Sequence, residues 1–261
     1  MLTRIISALV AIPILLYVVF KGDNTLTIGV LIVSTLGIIE FFNAFNNIKI
    51  KPSKSVGVIS CLLLFIINMF SYEPVNFLPL WFFSMGLLVL IKMVLDSKFT
   101  IMDTLVTITG LFYVSFLINH IALMTKNVNY DKFIWLIFIV AWATDTCAYF
   151  TGYLFGKNKL CPDISPKKTI EGAIGGIFGS VLVSVIYSYY FIPKYVIHFA
   201  IIGLIGSILG QIGDLVASMF KRYCGIKDYG KIMPGHGGIL DRFDSILFTA
   251  PLVYYYVTFM L

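Results

Sequence analysis

The sequence predicts an all-α, polytopic integral membrane protein of about nine transmembrane helices, with its N-terminus cytoplasmic. Three observations carry that expectation. Of 261 residues, 59% are hydrophobic and 12% charged, about half the charged share of an ordinary soluble domain, and the mean hydropathy is +0.94. Nine apolar runs reach the length of roughly 17 to 25 residues that a helix needs to cross hydrocarbon. They are continuous, as in LLLFIINMF or LIFIVAWA, rather than alternating as β-barrel strands are.

The third observation is the placement of lysine and arginine, which are enriched on the side that retains the protein. With the N-terminus inside, fifteen of the 19 fall in inner loops, and only Lys21, Lys126, Lys132 and Lys194 fall outside. The C-terminus is then outside. The net charge of +6 resides in the inner loops and calls for no nucleic-acid partner, because a basic cytoplasmic face equally suits anionic lipid headgroups and nucleotide phosphates. The expected place is the cell membrane, with the working face towards the cytoplasm.

The first run, residues 4–20, begins at Arg4 and has the basic and apolar parts of a secretory signal, but no small-residue cleavage site follows it. It reads as a retained helix, with Pro13 a point where it can bend. The next four runs, 25–46, 55–72, 76–96 and 100–124, carry few charges. Glu40 and Asp103 lie within about two turns of predicted helix ends, so they read as interfacial or capping acids rather than as chemistry. Residues 1–132 are thus read as a scaffold, offering surface to lipids or to a second copy in a homodimer. Residues 133–261 are read as the catalytic region.

The later runs, 133–156, 172–192, 195–219 and 239–260, have another texture. Glycines at 172, 175, 176 and 179, and at 203, 206, 210 and 213, fall at spacings that let helix backbones approach closely in lipid. Asp145, flanked by Thr144 and Thr146, lies about 18 Å along the helix before Lys157. At that depth a carboxylate needs a partner or a wet cavity, so Asp145 reads as part of a polar network or a structural acid. The segment SPKKTIEG, 165–172, reads as an inner loop leading into a helix. Lys167 and Lys168 there set two ammonium groups beside a helix start that Thr169 and Glu171 help satisfy, a plausible phosphate site that any basic inner loop would also resemble.

Between 213 and 245 two helix ends are expected to bring Asp214, Asp241 and Asp244 to similar depth. Ser218 shares a face with Asp214 at i, i+4, and Asp241 shares one with Asp244 at i, i+3. Lys221, Arg222, Lys227, Lys231 and Arg242 surround them. Oxygen-only ligands point to a hard cation such as Mg2+, which takes one or two carboxylates and completes its shell with water and substrate phosphates. The cations would then hold phosphate oxygens, and the backbone of His236, Gly237 and Gly238 could approach a pyrophosphate closely. Phosphoryl or nucleotidyl transfer is the chemistry indicated. No GxxxxGK[ST] loop is present. His236 reads as a phosphate ligand or loop residue, and His120 and His198 as packed residues. Cys61, Cys147, Cys161 and Cys224 form no CxxC and read as free thiols.

The run from Ser218 to Asp244, SMFKR-x4-KDYG-x2-MPGHGGILDRFD, resembles the signature of the phosphatidate cytidylyltransferase family, also called CDP-diacylglycerol synthases. DTCAYF-x-G from Asp145 and SPKKT-x-EG from Ser165 are similar to that family's upstream motifs, and Met233 stands where the family more often has another apolar residue or glycine. The resemblance implies transfer of a cytidylyl group from CTP to phosphatidic acid, giving CDP-diacylglycerol and pyrophosphate in phospholipid synthesis. It implies Asp214, Asp241 and Asp244 as metal-binding and catalytic acids together with Lys167. Substrate phosphates would fall to Ser165, Lys168, Thr169, Ser218, Lys221, Arg222, Lys227, Asp228, His236, Gly237, Gly238 and Arg242. Mg2+ is the implied cofactor, with a monovalent ion such as K+ as a second. Two other readings stay open on the residues: a CTP-dependent lipid kinase using the same acids, and an ion-coupled transporter. Against the transporter, no inverted repeat is seen.

Overall fold

A computed structural model describes residues 2–127 and 130–261; the side chains of residues 2–6 and 8 lie outside that description, and with them the expectation for Arg4. The first part of the chain forms α1 (Leu2–Lys21), α2 (Asp23–Asn46), α3 (Lys54–Phe70), α4 (Leu78–Leu95) and α5 (Ile101–Gly110), which runs through a π turn at Leu111–Phe116 into α6 (Leu117–Leu123). The second part forms α7 (Tyr130–Phe155), a hairpin of β1 (Lys159–Cys161) and β2 (Ser165–Thr169), α8 (Ile170–Phe191), α9 (Val196–Tyr223), the single turn α10 (Leu240–Phe243) and α11 (Ile246–Met260).

Among the described residues, six helical stretches are long and apolar enough to cross a membrane: Asp23–Asn46, Pro74–Leu95, Ile101–Lys126, Tyr130–Phe155, Ile170–Phe191 and Pro193–Tyr223. Three shorter apolar helices, Leu9–Lys21, Lys54–Phe70 and Ile246–Met260, occupy the first, third and ninth expected runs. The chain is therefore a largely helical, polytopic membrane protein.

Two local expectations need correction. The run 239–260 is not one helix, because the chain turns at Asp244 and Ser245. The Ser245 amide donates to Asp244 Oδ1 at 2.9 Å rather than to the helical ladder, the competition that Asp and Ser side chains offer a helix. The segment SPKKT is a strand, not a loop. It pairs antiparallel with β1, Lys159 opposite Thr169 and Cys161 opposite Ser165, and among the described residues the regular structure is otherwise helical.

The chain divides into two compact units, one of Met1–Asn127 with Tyr223–Phe243, the other of Val128–Arg222 with Asp244–Leu261. The first is built around α2, whose buried Val30, Ile38, Phe41, Phe42 and Phe45 share one broad face of the helix. Phe41 meets Phe45 and Tyr113 at ring distances of 5.1 and 5.6 Å. Asp103 caps α5: Thr100 Oγ1 accepts from the Asp103 amide, Asp103 Oδ2 accepts from the Thr100 amide, and Oδ1 takes the Lys51 amide. His120 is fully buried, with Nδ1 against the Phe116 carbonyl at 2.9 Å.

The second unit is organised by α7 against α8. The small face of α8 allows that approach: a Cβ at Gly175 would strike Thr151, and one at Gly179 would strike Cys147. On α9, Gly210 faces Ser245 and Thr249, and Gly213 faces the Asp244 carbonyl and Phe248. Ser180 donates to the Gly203 carbonyl at 3.0 Å, joining α8 to α9. His198 Nδ1 lies 3.2 Å from the Tyr256 hydroxyl. The four cysteines are free thiols. Burial pushes the Cys224 thiol up to about 11, which keeps it out of the reactive thiolate form at neutral pH.

Gly175→Ala is expected to lower stability by about 1–3 kcal/mol through overpacking, read by SDS titration of the purified protein. Gly86→Ala, where an added Cβ meets nothing within 4 Å, serves as the control and is expected to be neutral or slightly stabilising.

Candidate active site

The site-bearing sequence falls in both units. In the first, α9 ends at Tyr223 and Gly225 takes φ +67°, the left-handed turn that glycine supplies at a helix C-terminus. The chain then loops out and returns to α10. Asp241, 4% exposed, closes that loop. Its Oδ2 accepts from the Tyr229 amide at 2.8 Å and the Gly238 amide at 2.9 Å. Glu40 of α2 accepts from the next two amides, Ile239 at 3.1 Å and Leu240 at 2.9 Å, and so acts as the cap that sequence allowed for it.

Within the loop, MPGHG makes a tight turn. Met233 and Gly237 are bridged, the Met233 amide donating to the Gly237 carbonyl and the His236 amide to the Met233 carbonyl, each at 2.9 Å. Gly235 and Gly237 sit at φ +78° and +89°, a region closed to most side chains. His236 Nδ1 lies 2.7 Å from Ser7 Oγ, and that hydroxyl donates to the Pro234 carbonyl at 3.1 Å. An open cleft of about 690 Å3 is lined here by Lys227, Asp228, Lys231, His236, Gly237 and Arg242. Three permanent cations against one acid give the cleft a positive field.

In the second unit, Lys168 Nζ pairs with Asp214 Oδ2 at 2.6 Å, the two side chains 26% and 29% exposed. Ser218 donates to Asp214 Oδ1 at 3.4 Å. Asp244 lies within electrostatic reach of Asp214, Lys221 and Asp145, and Ser245 Oγ donates to Asp145 Oδ2 at 3.4 Å. The network thus takes in Asp145 on α7, Asp214 on α9 and Asp244 before α11.

The hairpin is held from several sides. Thr169 Oγ1 accepts from the Gly172 amide at 3.1 Å and caps α8. The Glu171 carboxylate takes the Lys157 and Asn158 amides at 3.1 and 3.2 Å. Arg222 Nε donates to the Ile164 carbonyl at 3.4 Å. Ser165 sits in β2 opposite Cys161. A cleft of about 550 Å3 in this unit is lined by Asp145, Lys159, Lys167, Lys168, Gln211 and Asp214, with Tyr149 and Tyr153 beside them.

Sequence reasoning did not single out several of these groups. Ser7 carries no signal, being a serine in an apolar helix. Lys159, Tyr149, Gln211 and Ser245 become site residues only through the hairpin and the close approach of helices. Lys167 and Lys168 could not be told apart by adjacency, whereas successive strand residues point to opposite faces, and Lys168 is the one that pairs with Asp214.

Among the described residues, no group of three or more His, Cys, Asp or Glu is gathered to hold a metal ion. The donor chemistry nevertheless fits Mg2+, which needs only one or two protein carboxylates. Asp214 and Asp244 supply oxygen alone, and the partial exposure of Asp214 leaves room for water and phosphate.

Comparison with known proteins places the chain in a family. The model of the cytidylyltransferase family matches residues 2–260. A phosphatidate cytidylyltransferase of Staphylococcus epidermidis is 37% identical over 258 residues, 97% of each chain. One from Staphylococcus aureus is 38% identical over 259 residues, again 97% of each. One from Synechocystis sp. is 35% identical over 288 residues, covering 99% of this chain and 97% of its own. With its signature loop, its oxygen-only acids and its full-length match, the chain belongs to the cytidylyltransferase family.

Proposed function

We infer that the chain transfers the cytidylyl group of CTP to phosphatidic acid, releasing pyrophosphate and leaving CDP-diacylglycerol in the membrane. The observation that carries this reading is the match over nearly the whole chain to relatives named for that reaction, joined to clefts that hold cations and carboxylates together.

The roles follow from charge. Lys227, Lys231 and Arg242, with the glycine backbone at 237 and 238, bind the triphosphate in the first unit's cleft. Lys167 and Lys168 bind phosphate in the second, with Ser165, Thr169, Ser218, Lys221 and Arg222 holding the surrounding geometry. The lipid phosphate attacks the α-phosphorus in line. It is already ionised near neutral pH and needs no general base, so His236 serves binding rather than proton transfer. Asp214 and Asp244 would hold Mg2+, which would neutralise charge that develops on the phosphates, with Asp241 the further carboxylate that the family resemblance implies; K+ is a second ion to test. Asp145 steadies the acid network.

The orientation we propose has nine spans, a cytoplasmic N-terminus and the phosphate chemistry at the cytoplasmic face of the cell membrane. The distribution of basic residues supports it, as do the three shorter helices that fill the remaining runs. The scaffold helices would contact lipids and, in a homodimer, a second copy.

Purified protein in detergent, given labelled CTP and phosphatidic acid, is expected to form a labelled lipid and pyrophosphate. Release of CDP instead would identify a lipid kinase. Chelation by EDTA is expected to stop turnover and Mg2+ to restore it; activity that persists in EDTA sinks the metal assignment. Asp214→Asn is the cleaner test of a metal carboxylate, because Asp241 also holds backbone amides. It should lower kcat at least about 100-fold with insertion unchanged. Lys167→Ala is expected to raise an apparent substrate KM about tenfold, the scale of one charge-assisted hydrogen bond. Unchanged kinetics would reduce that lysine to a topology signal.

A further inference from the structure

We propose that Glu40 is a positioning residue for nucleotidyl transfer: a carboxylate on a membrane helix that fixes the loop carrying Asp241 and the phosphate-binding groups. The proposal rests on reading that loop as part of the substrate site.

Glu40 is 4% exposed on α2, among Phe41, Phe42 and Ile38. A buried carboxylate in such company is costly unless it is fully hydrogen-bonded. Its partners are the amides of Ile239 and Leu240, one on each oxygen, almost 200 positions away in the chain. Leu240 opens α10 and Ile239 immediately precedes it, so neither amide has a partner within the helix. The preceding residues, Gly237, Gly238 and Ile239, have no side-chain acceptor to offer them, so the cap comes from α2.

The loop is also shaped to this acid. An added Cβ at Gly230 or Gly238 would run into the Glu40 carboxylate, which places both ends of the loop against it. Asp241 binds the same two ends through the Tyr229 and Gly238 amides. Two acids therefore hold four amides and set where Asp241, Lys231, His236 and Arg242 stand. Glutamine would fill the same volume badly, because its amide offers one acceptor and turns a donor towards the second N–H. Aspartate would draw the carboxylate back by one methylene.

The test uses the full chain in nanodiscs and compares Glu40→Gln and Glu40→Asp with the wild type. Asp103→Asn is the control, since Asp103 caps α5 in the same unit and touches no part of the loop. Three readouts are taken: thermal midpoint, rate of tryptic cleavage at Lys227 and Lys231, and kcat with separate KM values for CTP and phosphatidic acid. Glu40→Gln is expected to lower kcat/KM for CTP by about 10- to 100-fold, the scale of one or two lost charge-assisted hydrogen bonds, and to speed loop cleavage. The KM for phosphatidic acid should stay within about twofold, and Glu40→Asp should fall between. Asp103→Asn should shift the midpoint and leave the kinetics of folded protein unchanged.

If Glu40→Gln lowers only the midpoint, with wild-type kinetics and cleavage, Glu40 is a structural cap and the proposal is wrong. If Glu40→Gln does not fold, Gly238→Ala approaches the same contact from the loop side. It should reproduce both the CTP defect and the faster cleavage; a wild-type result there overturns the proposal. If the wild type makes no CDP-diacylglycerol, the functional reading fails by itself, while the cleavage rates still decide whether Glu40 holds the loop.

Discussion

An ionised carboxylate moved from water into apolar surroundings loses far more hydration energy than any single contact returns, so it persists only where several donors replace the water. This chain has few acids, and those described between its apolar helices meet that demand in distinct ways. Asp103 is met by the amides and hydroxyl at the start of its own helix and by the Lys51 amide. Glu40 and Asp241 are met by loop amides, Asp214 by an ammonium and a hydroxyl. Position follows from supply. Free amides occur at helix ends and glycine turns, and those are the donors that Asp103, Glu40 and Asp241 take.

The kind of donor then separates structural from chemical duty. Backbone amides are fixed once the fold is fixed, and they make Glu40 and Asp103 rigid fasteners. A lysine ammonium ends a flexible four-carbon stem, so the pairing of Lys168 with Asp214 can be exchanged for a cation or a phosphate without moving the backbone. Asp214, 29% exposed beside a cleft, has the partner and the access that binding chemistry requires. Asp241, one oxygen of which takes two loop amides, is held in the same fixed way as Glu40.

How much of this was legible in sequence depends on the range of the interaction. The spans were readable because apolarity over twenty residues is a local property, and the glycine face of α8 because small residues at i, i+3 and i+4 share a face whatever lies opposite. The acids at 214, 241 and 244 were readable as unusual for the same reason. The hairpin was not, since five residues containing Ser, Pro and two Lys have little strand preference of their own; pairing with β1 holds them extended, while Glu171 and Arg222 bind the flanking Lys157, Asn158 and Ile164. The break at Asp244 and Ser245 looked like continuous helix because its cause is one side-chain hydrogen bond. Glu40 could be suspected of capping, but its partners, some 200 residues away, leave no trace in local spacing.

The two fasteners also explain why a loop of glycines can be both ordered and open. A loop can be held by packing its own side chains inward, as compact surface loops often are, but those side chains are then unavailable. Here the restraint is concentrated at the two ends, on Tyr229 and Gly238 by Asp241 and on Ile239 and Leu240 by Glu40, with the turn at 233–237 locked by its own amides. Lys227, Lys231 and Arg242 then have no packing role to fill and line an open cleft instead. Glycine costs backbone entropy on ordering, and that cost is offset by bonds to charged acceptors, the stronger kind. A loop built this way keeps its cations and bare backbone exposed on a frame that a membrane helix holds still.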